Sequence, residues 1–260
     1  MDLEATRDGL LAAFRARGRV LVAFSGGVDS GLVAKLARDA LDGGALAAIA
    51  DAESLARRDL ADAESLAAEI GIPLRVVPVS ELANPAYAAN PADRCYFCRS
   101  GLAEALAGIA AKEGYGTIAD GIHASDLGDV RPGIRAMDEA RVWHPLLEFG
   151  LTKAAVRSLA RDLGLSAWDR PSNACLSSRL PRGTPITVDV LRQVEAAEDV
   201  LRDRGFRQVR VRHHGATAKV EVGAEEVPRL AAMRDEVAAA LRALGYLETL
   251  VDPAGYRGLA

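Results

Sequence analysis

An unbroken apolar run at residues 20–24 leads directly into a polar, glycine-rich turn, Ser-Gly-Gly-Val-Asp-Ser at residues 25–30. A continuous apolar run of this length predicts a fully buried strand, and apolar positions after the turn recur with helical spacing. A buried strand, a glycine turn and a helix start, in that order, are typical of a parallel sheet covered by helices. The sequence therefore predicts an α/β fold.

The turn has the chemistry of an anion site. Gly26 and Gly27 permit positive φ and close backbone approach, while Ser25, Ser30 and the free amides of the helix start supply hydrogen-bond donors. The alternative is a tight turn with Ser30 as helix N-cap and no ligand. A P-loop is excluded because Leu32 and Val33 stand where Lys and Ser or Thr are required.

This hexapeptide after an apolar strand resembles the pyrophosphate loop of the N-type ATP pyrophosphatases. The resemblance implies cleavage of ATP to AMP and pyrophosphate with adenylation of a carbonyl oxygen, and it implies ATP and Mg²⁺ as cofactors. The expected ATP-binding residues are Ala23, Ser25, Gly26, Gly27, Asp29, Ser30 and Gly121.

Short apolar strands at residues 45–50, 74–79 and 116–119 alternate with helical patterns, which predicts a doubly wound parallel sheet for residues 1–180. Beyond residue 185 a helix at 188–204 precedes two alternating strands at 209–212 and 219–222. We expect a smaller α+β domain, residues 181–260, for substrate binding or oligomerisation.

Polar residues follow the predicted strands, where ligands of such sheets bind. Asp126 and Asp129 either hold magnesium or order their loop, and His123 either contacts the nucleotide or is exposed. Arg57 or Arg58 meets phosphate or belongs to a solvated helix face, and the second interpretation is slightly favoured.

The chain has three cysteines, Cys95, Cys98 and Cys175. A Cys-x-x-Cys pair suits a redox pair, half of a zinc site or part of an iron–sulfur site. Three cysteines exclude a four-cysteine zinc site but leave open a zinc site completed by a histidine. A purely structural alternative makes Cys95 and Cys98 small buried residues at the start of a helix over 98–112.

The N-terminal sequence, the apolar runs and the net charge indicate where the protein acts and what it binds. The acidic start Met1-Asp2-Leu3-Glu4 lacks a signal pattern, which predicts a cytoplasmic protein, and no apolar run is long enough to cross a membrane. The net charge of −4 argues against a large nucleic-acid footprint.

Several further motifs narrow the resemblance to the LarE family. They are Asp120-Gly121, Asp-Val-Arg-Pro-Gly at 129–133, Pro-Ser-Asn-Ala-Cys-Leu-Ser-Ser-Arg at 171–179 and Val-Arg-Val-Arg-His-His at 209–214. The resemblance implies ATP-dependent sulfur transfer to both carboxylates of pyridinium-3,5-dicarboxylate mononucleotide, for the nickel-pincer nucleotide of lactate racemase. It also implies a sulfide donor and a homo-oligomer, a hexamer.

The family has two sulfur strategies. In one, a lone cysteine matching Cys175 gives up its sulfur and becomes dehydroalanine. In the other, cysteines matching Cys95, Cys98 and Cys175 hold a 4Fe-4S cluster that carries sulfide. The presence of all three favours the cluster form, with these cysteines both catalytic and metal-binding, and the sacrificial form is the alternative.

Arginines are the candidate substrate ligands. Arg210 and Arg212 share one strand face and suit a phosphate or two carboxylates, unless they pair with Glu221. Arg179, with Ser177 and Ser178, is the better candidate for holding substrate near Cys175. By loose family alignment, Glu198 and Glu225 bind a metal at an oligomer interface.

Two other classes share the loop: a tRNA thiolase, disfavoured by the acidic balance, and an ammonia-using synthetase in which the cysteines are structural.

Overall fold

The computed structural model describes residues 2–127, 132–171 and 174–256. Contacts between Cα atoms divide the chain into two compact units. The first is Met1–Tyr87 with Asp93–Asn173, and the second is Ala88–Ala92 with Ala174–Ala260. The predicted boundary at residue 180 stays a prediction.

The first unit contains a four-stranded parallel sheet, which confirms the predicted fold class. Its strands are β1 (Val20–Ala23), β2 (Ala45–Asp51), β3 (Leu74–Pro78) and β4 (Thr117–Ala119), in the order β3-β2-β1-β4. The helices up to residue 171 are α1 (Leu3–Arg17), α2 (Val28–Leu41), α3 (Arg57–Ile70), α4 (Pro85–Ala88), α5 (Arg94–Glu113), α6 (Pro132–Glu139), α7 (Pro145–Glu148) and α8 (Lys153–Asp162).

Both faces of this sheet are covered, which explains why β1 is apolar throughout. Val20 and Val22 pack into one hydrophobic cluster with residues of α1, α2, α3 and α8. Leu21 and Ala23 pack into a second cluster with residues of α5 and with Met137 of α6. Successive side chains of a strand point to opposite faces, so a strand between two helical layers needs apolar residues at every position.

The order of the strands fixes where a ligand can bind. β1 pairs with β2 on one side and with β4 on the other, so the chain leaves β1 at a topological switch point. The turn at residues 24–27 and the loop starting at Asp120 therefore lie side by side at the carboxyl edge of the sheet.

Helix α5 begins earlier than predicted. The expected start at residue 98 is wrong, because the helix runs from Arg94 and takes both Cys95 and Cys98 into its first two turns. Its buried apolar residues start only at Ala103, so helical periodicity in the sequence does not reveal the preceding turns.

The second unit is a smaller α+β structure. Its elements are α9 (Val188–Arg202), β5 (Val209–His214), β6 (Thr217–Val222), α10 (Val227–Ala232), α11 (Arg234–Ala243) and β7 (Glu248–Val251). β5 and β6 form the predicted antiparallel hairpin, turning at Gly215 with φ 63°, and β7 joins β6 in parallel. Residues 88–92 belong to this unit through the Asn90 side-chain amide, which donates to the Pro181 carbonyl at 2.8 Å.

None of the helices in the described ranges combines the length and the apolar character needed to cross a membrane.

Candidate active site

Two serines hold the turn after β1, whose last residue is the predicted ligand Ala23. Ser30 Oγ accepts from the Ser25 amide at 3.0 Å, lies 3.0 Å from Ser25 Oγ and donates to the Gly27 carbonyl at 3.3 Å. Helix α2 begins at Val28 with Gly27 as N-cap and no side-chain cap, so the N-cap role suggested for Ser30 is wrong. Among the described residues, no side chain caps the amides of the first helical turn, and these amides point toward the carboxyl edge of the sheet.

Glycines allow this turn to pack closely. Gly26 has φ 73°, and a Cβ there would lie 2.6 Å from the Cβ of Ala63 on α3. At the end of β4, a Cβ on Gly121 would lie 2.7 Å from the Ser30 amide nitrogen. Gly121 thus permits the loop after β4 to touch the start of α2, which brings together the two segments predicted to bind ATP.

Asp29 carries the acidic charge of the turn, and Lys153 neutralises it. Lys153 Nζ lies 2.7 Å and 2.6 Å from the two carboxylate oxygens of Asp29. His123 Nε2 lies 3.5 Å from the same carboxylate. Both Asp29 and Lys153 keep about a third of their side-chain surface exposed, so a ligand can reach the pair.

Lys153 and Arg170 were not predicted from the sequence. Arg170 Nη1 donates to the Gly26 carbonyl at 3.2 Å, which places a second cation on the turn. Lys153 is the first residue of α8, where the helix dipole disfavours a cation. That misplaced charge is the one signal in the sequence that pointed to a functional role.

The other predicted polar residues at this edge have local partners. Arg57 binds Asp51 at 2.6 Å and the Leu55 carbonyl at 2.9 Å. His123 is buried, and its Nδ1 lies 3.2 Å from Asp126 Oδ2. Asp129 lies outside the described residues, as do Ser172, Asn173 and Arg257.

Cys95 and Cys98 lie three residues apart on α5, so they share one helix face. Cys95 is exposed. A Cβ added to Gly133, at the start of α6, would lie 3.6 Å from the Cys95 Cβ. Cys98 lines a cavity of about 310 Å³ with Ser80, Glu81 and Tyr96. None of the three cysteines, all of which are described, is in a disulfide.

Cys175, in the second unit, is followed by a 3₁₀ turn, Leu176–Arg179. Arg179 is buried beneath this turn, and its Nη1 donates to the carbonyls of Ala174 and Cys175 and to Ser178 Oγ. Ser177 is fully buried. The guanidinium therefore positions the Cys175 backbone, and a substrate role for Arg179, Ser177 and Ser178 stays a prediction.

Glu198 of α9 binds the other side of that guanidinium. Its oxygens accept from Arg179 Nε at 2.7 Å and Nη2 at 3.0 Å, and also from Arg202 at 2.7 Å and the Val211 amide at 3.1 Å. Burial raises the pKa of Glu198, but Arg179 and then Arg202 bring it below its ordinary value. A metal role for Glu198 or Glu225 stays untested, and four protein donors already surround Glu198.

The two strand arginines differ in their surroundings. Arg212 donates to Glu221 at 3.0 and 3.1 Å and to the Ser178 carbonyl at 3.0 Å, so the predicted alternative, pairing with Glu221, is confirmed for this residue. Arg210 lies opposite Glu221 in the ladder but is buried against the Tyr256 ring, 5.0 Å from its centroid. Burial and the nearby Arg179 lower the pKa of Arg210.

The cysteine donor set fits an iron–sulfur cluster in its chemistry, because thiolates are the usual ligands of such clusters. Within residues 2–127, 132–171 and 174–256, however, no group of three or more His, Cys, Asp or Glu side chains is placed to hold a metal ion. The argument for a cluster therefore comes from the chemical identity of the three cysteines and not from their arrangement.

One family model and two relatives are similar to this chain. A sequence model of the NAD synthase family matches residues 9–94, which include the turn after β1. An uncharacterized protein of Synechocystis sp. is 41% identical over 257 residues, 98% of this chain and 96% of that protein. The pyridinium-3,5-bisthiocarboxylic acid mononucleotide synthase of Lactiplantibacillus plantarum is 36% identical over 256 residues, 98% of this chain and 93% of that enzyme.

Proposed function

The chain belongs to the LarE family, that of the pyridinium-3,5-bisthiocarboxylic acid mononucleotide synthase, and we propose that it converts the carboxylates of pyridinium-3,5-dicarboxylate mononucleotide to thiocarboxylates. It is an ATP pyrophosphatase-type sulfurtransferase. The observation that carries the proposal is the similarity to the synthase along 98% of the chain.

The first step is adenylation. A substrate carboxylate oxygen attacks the α-phosphorus of ATP, the bond to the β-phosphate breaks, and an acyl adenylate and pyrophosphate result. The amides of the first turn of α2, with Ser25, Gly26, Gly27 and Ser30, hold the departing pyrophosphate. Donors already aimed at the developing charge cost no reorganisation during the reaction.

Asp29 and Lys153 prepare the site for a charged nucleotide. A carboxylate with accessible oxygens suits Mg²⁺, which would neutralise phosphate charge there. Lys153 Nζ lies 2.6 Å from Asp29, and if Asp29 held the cation, Lys153 would be available to bind a phosphate oxygen. Without ATP the ion pair keeps both charges satisfied.

The second step brings sulfur. A sulfide attacks the carbonyl carbon of the adenylate, AMP leaves with the bonding pair, and a thiocarboxylate forms. Cys95, Cys98 and Cys175 would hold a 4Fe-4S cluster, which when bound would supply that sulfide. In the sacrificial alternative Cys175 loses its own sulfur.

Arg210, Arg212, Ser177 and Ser178 are the proposed substrate-binding residues, and Arg179 is proposed to position Cys175 toward the substrate. Arg212 has to exchange Glu221 for substrate, whereas Arg179 acts through the Cys175 backbone. The protein is proposed to act in the cytoplasm as a homo-oligomer, with a small nucleotide and a sulfide donor as its partners.

Anaerobically reconstituted protein, incubated with ATP, the dicarboxylate nucleotide and sulfide, tests the reaction by mass spectrometry of the product. We expect exchange of one carboxylate oxygen for sulfur at each position, and loss of this exchange in Cys175→Ser. A product of unchanged mass contradicts the proposed function.

The mass of the protein after turnover separates the two sulfur sources. The cluster form leaves the polypeptide mass unchanged over several turnovers and shows broad visible absorbance that is lost in Cys95→Ser and Cys98→Ser. A polypeptide lighter by one hydrogen sulfide after a single turnover identifies the sacrificial form instead.

A further inference from the structure

His144 lies between two carboxylates beside the carboxyl edge of the sheet. Its Nδ1 is 2.7 Å from Asp120 Oδ1, directly after β4, and its Nε2 is 3.0 Å from Asp138 Oδ1 on α6. The His144 side chain is 10% exposed, that of Asp120 is 3% exposed and that of Asp138 is 61% exposed.

Both ring nitrogens must donate in this arrangement, because an ionised carboxylate can only accept a hydrogen bond. A neutral imidazole has a single N–H and can satisfy only one of the two contacts. The arrangement thus requires the imidazolium. Burial lowers the pKa of His144, but the hydrogen bonds and charges of Asp120 and Asp138 together raise it above its ordinary value.

The buried carboxylate depends on this cation. Asp120 Oδ2 is buried and has no hydrogen-bond partner among the described residues, so charge compensation for Asp120 comes from His144. Asp120 and Asp138 are the charged groups that face the imidazole in the described part of the chain. Glu148 of α7 is bound instead to Trp143 Nε1 at 2.5 Å and to Arg17 at 3.2 Å.

Asp120 also shapes the loop after β4, which touches the turn at residues 25–30. Its Oδ1 accepts from the Ile122 amide at 3.1 Å, which fixes the chain around Gly121. Gly121 packs against the backbone of Asp29 and Ser30, with only 2.7 Å between its Cβ position and the Ser30 nitrogen. Movement of Asp120 therefore reaches the first turn of α2 through backbone contacts.

We propose that His144 is a positioning residue whose imidazolium, bridging Asp120 and Asp138, holds the loop after β4 against the ATP-binding turn. The role rests on the proposed function, because ATP is the ligand whose binding the loop supports. Loss of the proton as pH rises breaks the contact with Asp138 and leaves the Asp120 charge uncompensated. ATP affinity then falls.

Asp138→Asn tests the bridge without touching the buried pair. Asp162→Asn is the control, because Asp162 is similarly exposed, at 57%, and lies in the same unit. Mg²⁺-ATP binding is measured by calorimetry between about pH 6 and pH 9, where a histidine with a raised pKa titrates. We expect the alkaline fall in affinity to move about 1 pH unit lower in Asp138→Asn and to stay in place in Asp162→Asn.

A second measurement needs no nucleotide. The ring signals of His144, assigned by their absence in His144→Gln, give its protonation state, and the amide signals of Ser30, Gly121 and Ile122 should titrate with the same midpoint. Amide signals that do not shift with the His144 titration, or an imidazole that is neutral at pH 7, overturn the inference. A chain whose amides titrate as expected but that binds no ATP at any pH contradicts the proposed function and leaves the positioning role of His144 intact.

Discussion

Gly26 leaves no room for a side chain in the turn after β1. Its φ of 73° disfavours any residue with a Cβ, and the Cβ would also meet Ala63 at 2.6 Å. For Gly26→Ala we expect a loss of about 2–4 kcal/mol in the free energy of unfolding, since strain and overpacking add. Urea denaturation measures the loss, and ATP binding should fall with it.

Gly71→Ala separates the two causes. Gly71 caps α3 with the same φ of 73°, but the nearest atom to its Cβ position is Arg38 Nε at 4.0 Å. This variant should lose only about 1 kcal/mol. Equal losses in the two variants would show that the contact with Ala63 contributes nothing.

Lys153→Met tests the cation that pairs with Asp29. Removing the cation leaves Asp29 uncompensated and takes a charged donor from the phosphates, so ATP affinity should fall by about 10- to 100-fold. Calorimetric titration with Mg²⁺-ATP measures this change.

The control is Lys35→Met, because Lys35 forms an ion pair of the same 2.6 Å length with Asp39 on the outer part of α2. The Lys35→Met variant should bind ATP with the same affinity as the unchanged chain. If Lys153→Met also binds ATP normally, the ion pair with Asp29 is only structural.

The junction of α9 and β5 is held by a buried ion pair. Glu198 is fully buried between Arg179 and Arg202 and also accepts from the Val211 amide of β5. Glu198→Gln leaves the buried Arg179 guanidinium without its counter-charge and leaves Arg202 with Asp199 as its remaining acidic partner, which should cost about 3–5 kcal/mol of unfolding free energy at pH 7. Thermal or urea unfolding monitored by circular dichroism gives the value.

This contribution has a defined pH dependence. Because the pKa of Glu198 is lower in the folded chain, its stabilisation is present above the unfolded pKa of about 4.3 and is lost as pH falls through the folded value. The difference between Glu198→Gln and the unchanged chain should therefore shrink in acid. Glu236→Gln, which removes an exposed partner of Arg204, should show little difference at any pH.

Elements with a regular pattern of apolar residues were predictable from the sequence. The four parallel strands and the β5–β6 hairpin follow from runs and alternations of apolar residues, because burial on one or two faces leaves that pattern. The start of α5 was not predictable, since only Arg94 is buried in the turns that carry Cys95 and Cys98.

The candidate site was predictable only where it is contiguous. The turn at residues 25–30 is one stretch of sequence, whereas Lys153 reaches Asp29 across 124 residues and leaves no spacing pattern. Arg179 shows the opposite difficulty. Its place in a motif beside Cys175 suggested a substrate contact, but its burial and its bonds to Glu198 depend on how α9 packs.

The net charge of the chain bears on the choice between a small nucleotide and tRNA as substrate. With a net charge of −4 and a sequence pI near 5.7, the surface offers little of the basic excess that RNA binding uses. Non-specific affinity for RNA depends on phosphate neutralisation and falls steeply with salt. At about 0.15 M salt we therefore expect micromolar protein to leave the electrophoretic mobility of tRNA unchanged.

A competition experiment turns this expectation into a choice between substrates. Bulk tRNA and pyridinium-3,5-dicarboxylate mononucleotide are incubated together with reconstituted protein, ATP and labelled sulfide, and the label is followed into each. Label should enter only the small nucleotide, because its carboxylates and single phosphate can be held by a few arginines without an extended basic surface. Label in tRNA that disappears in Cys175→Ser would instead establish a tRNA thiolase.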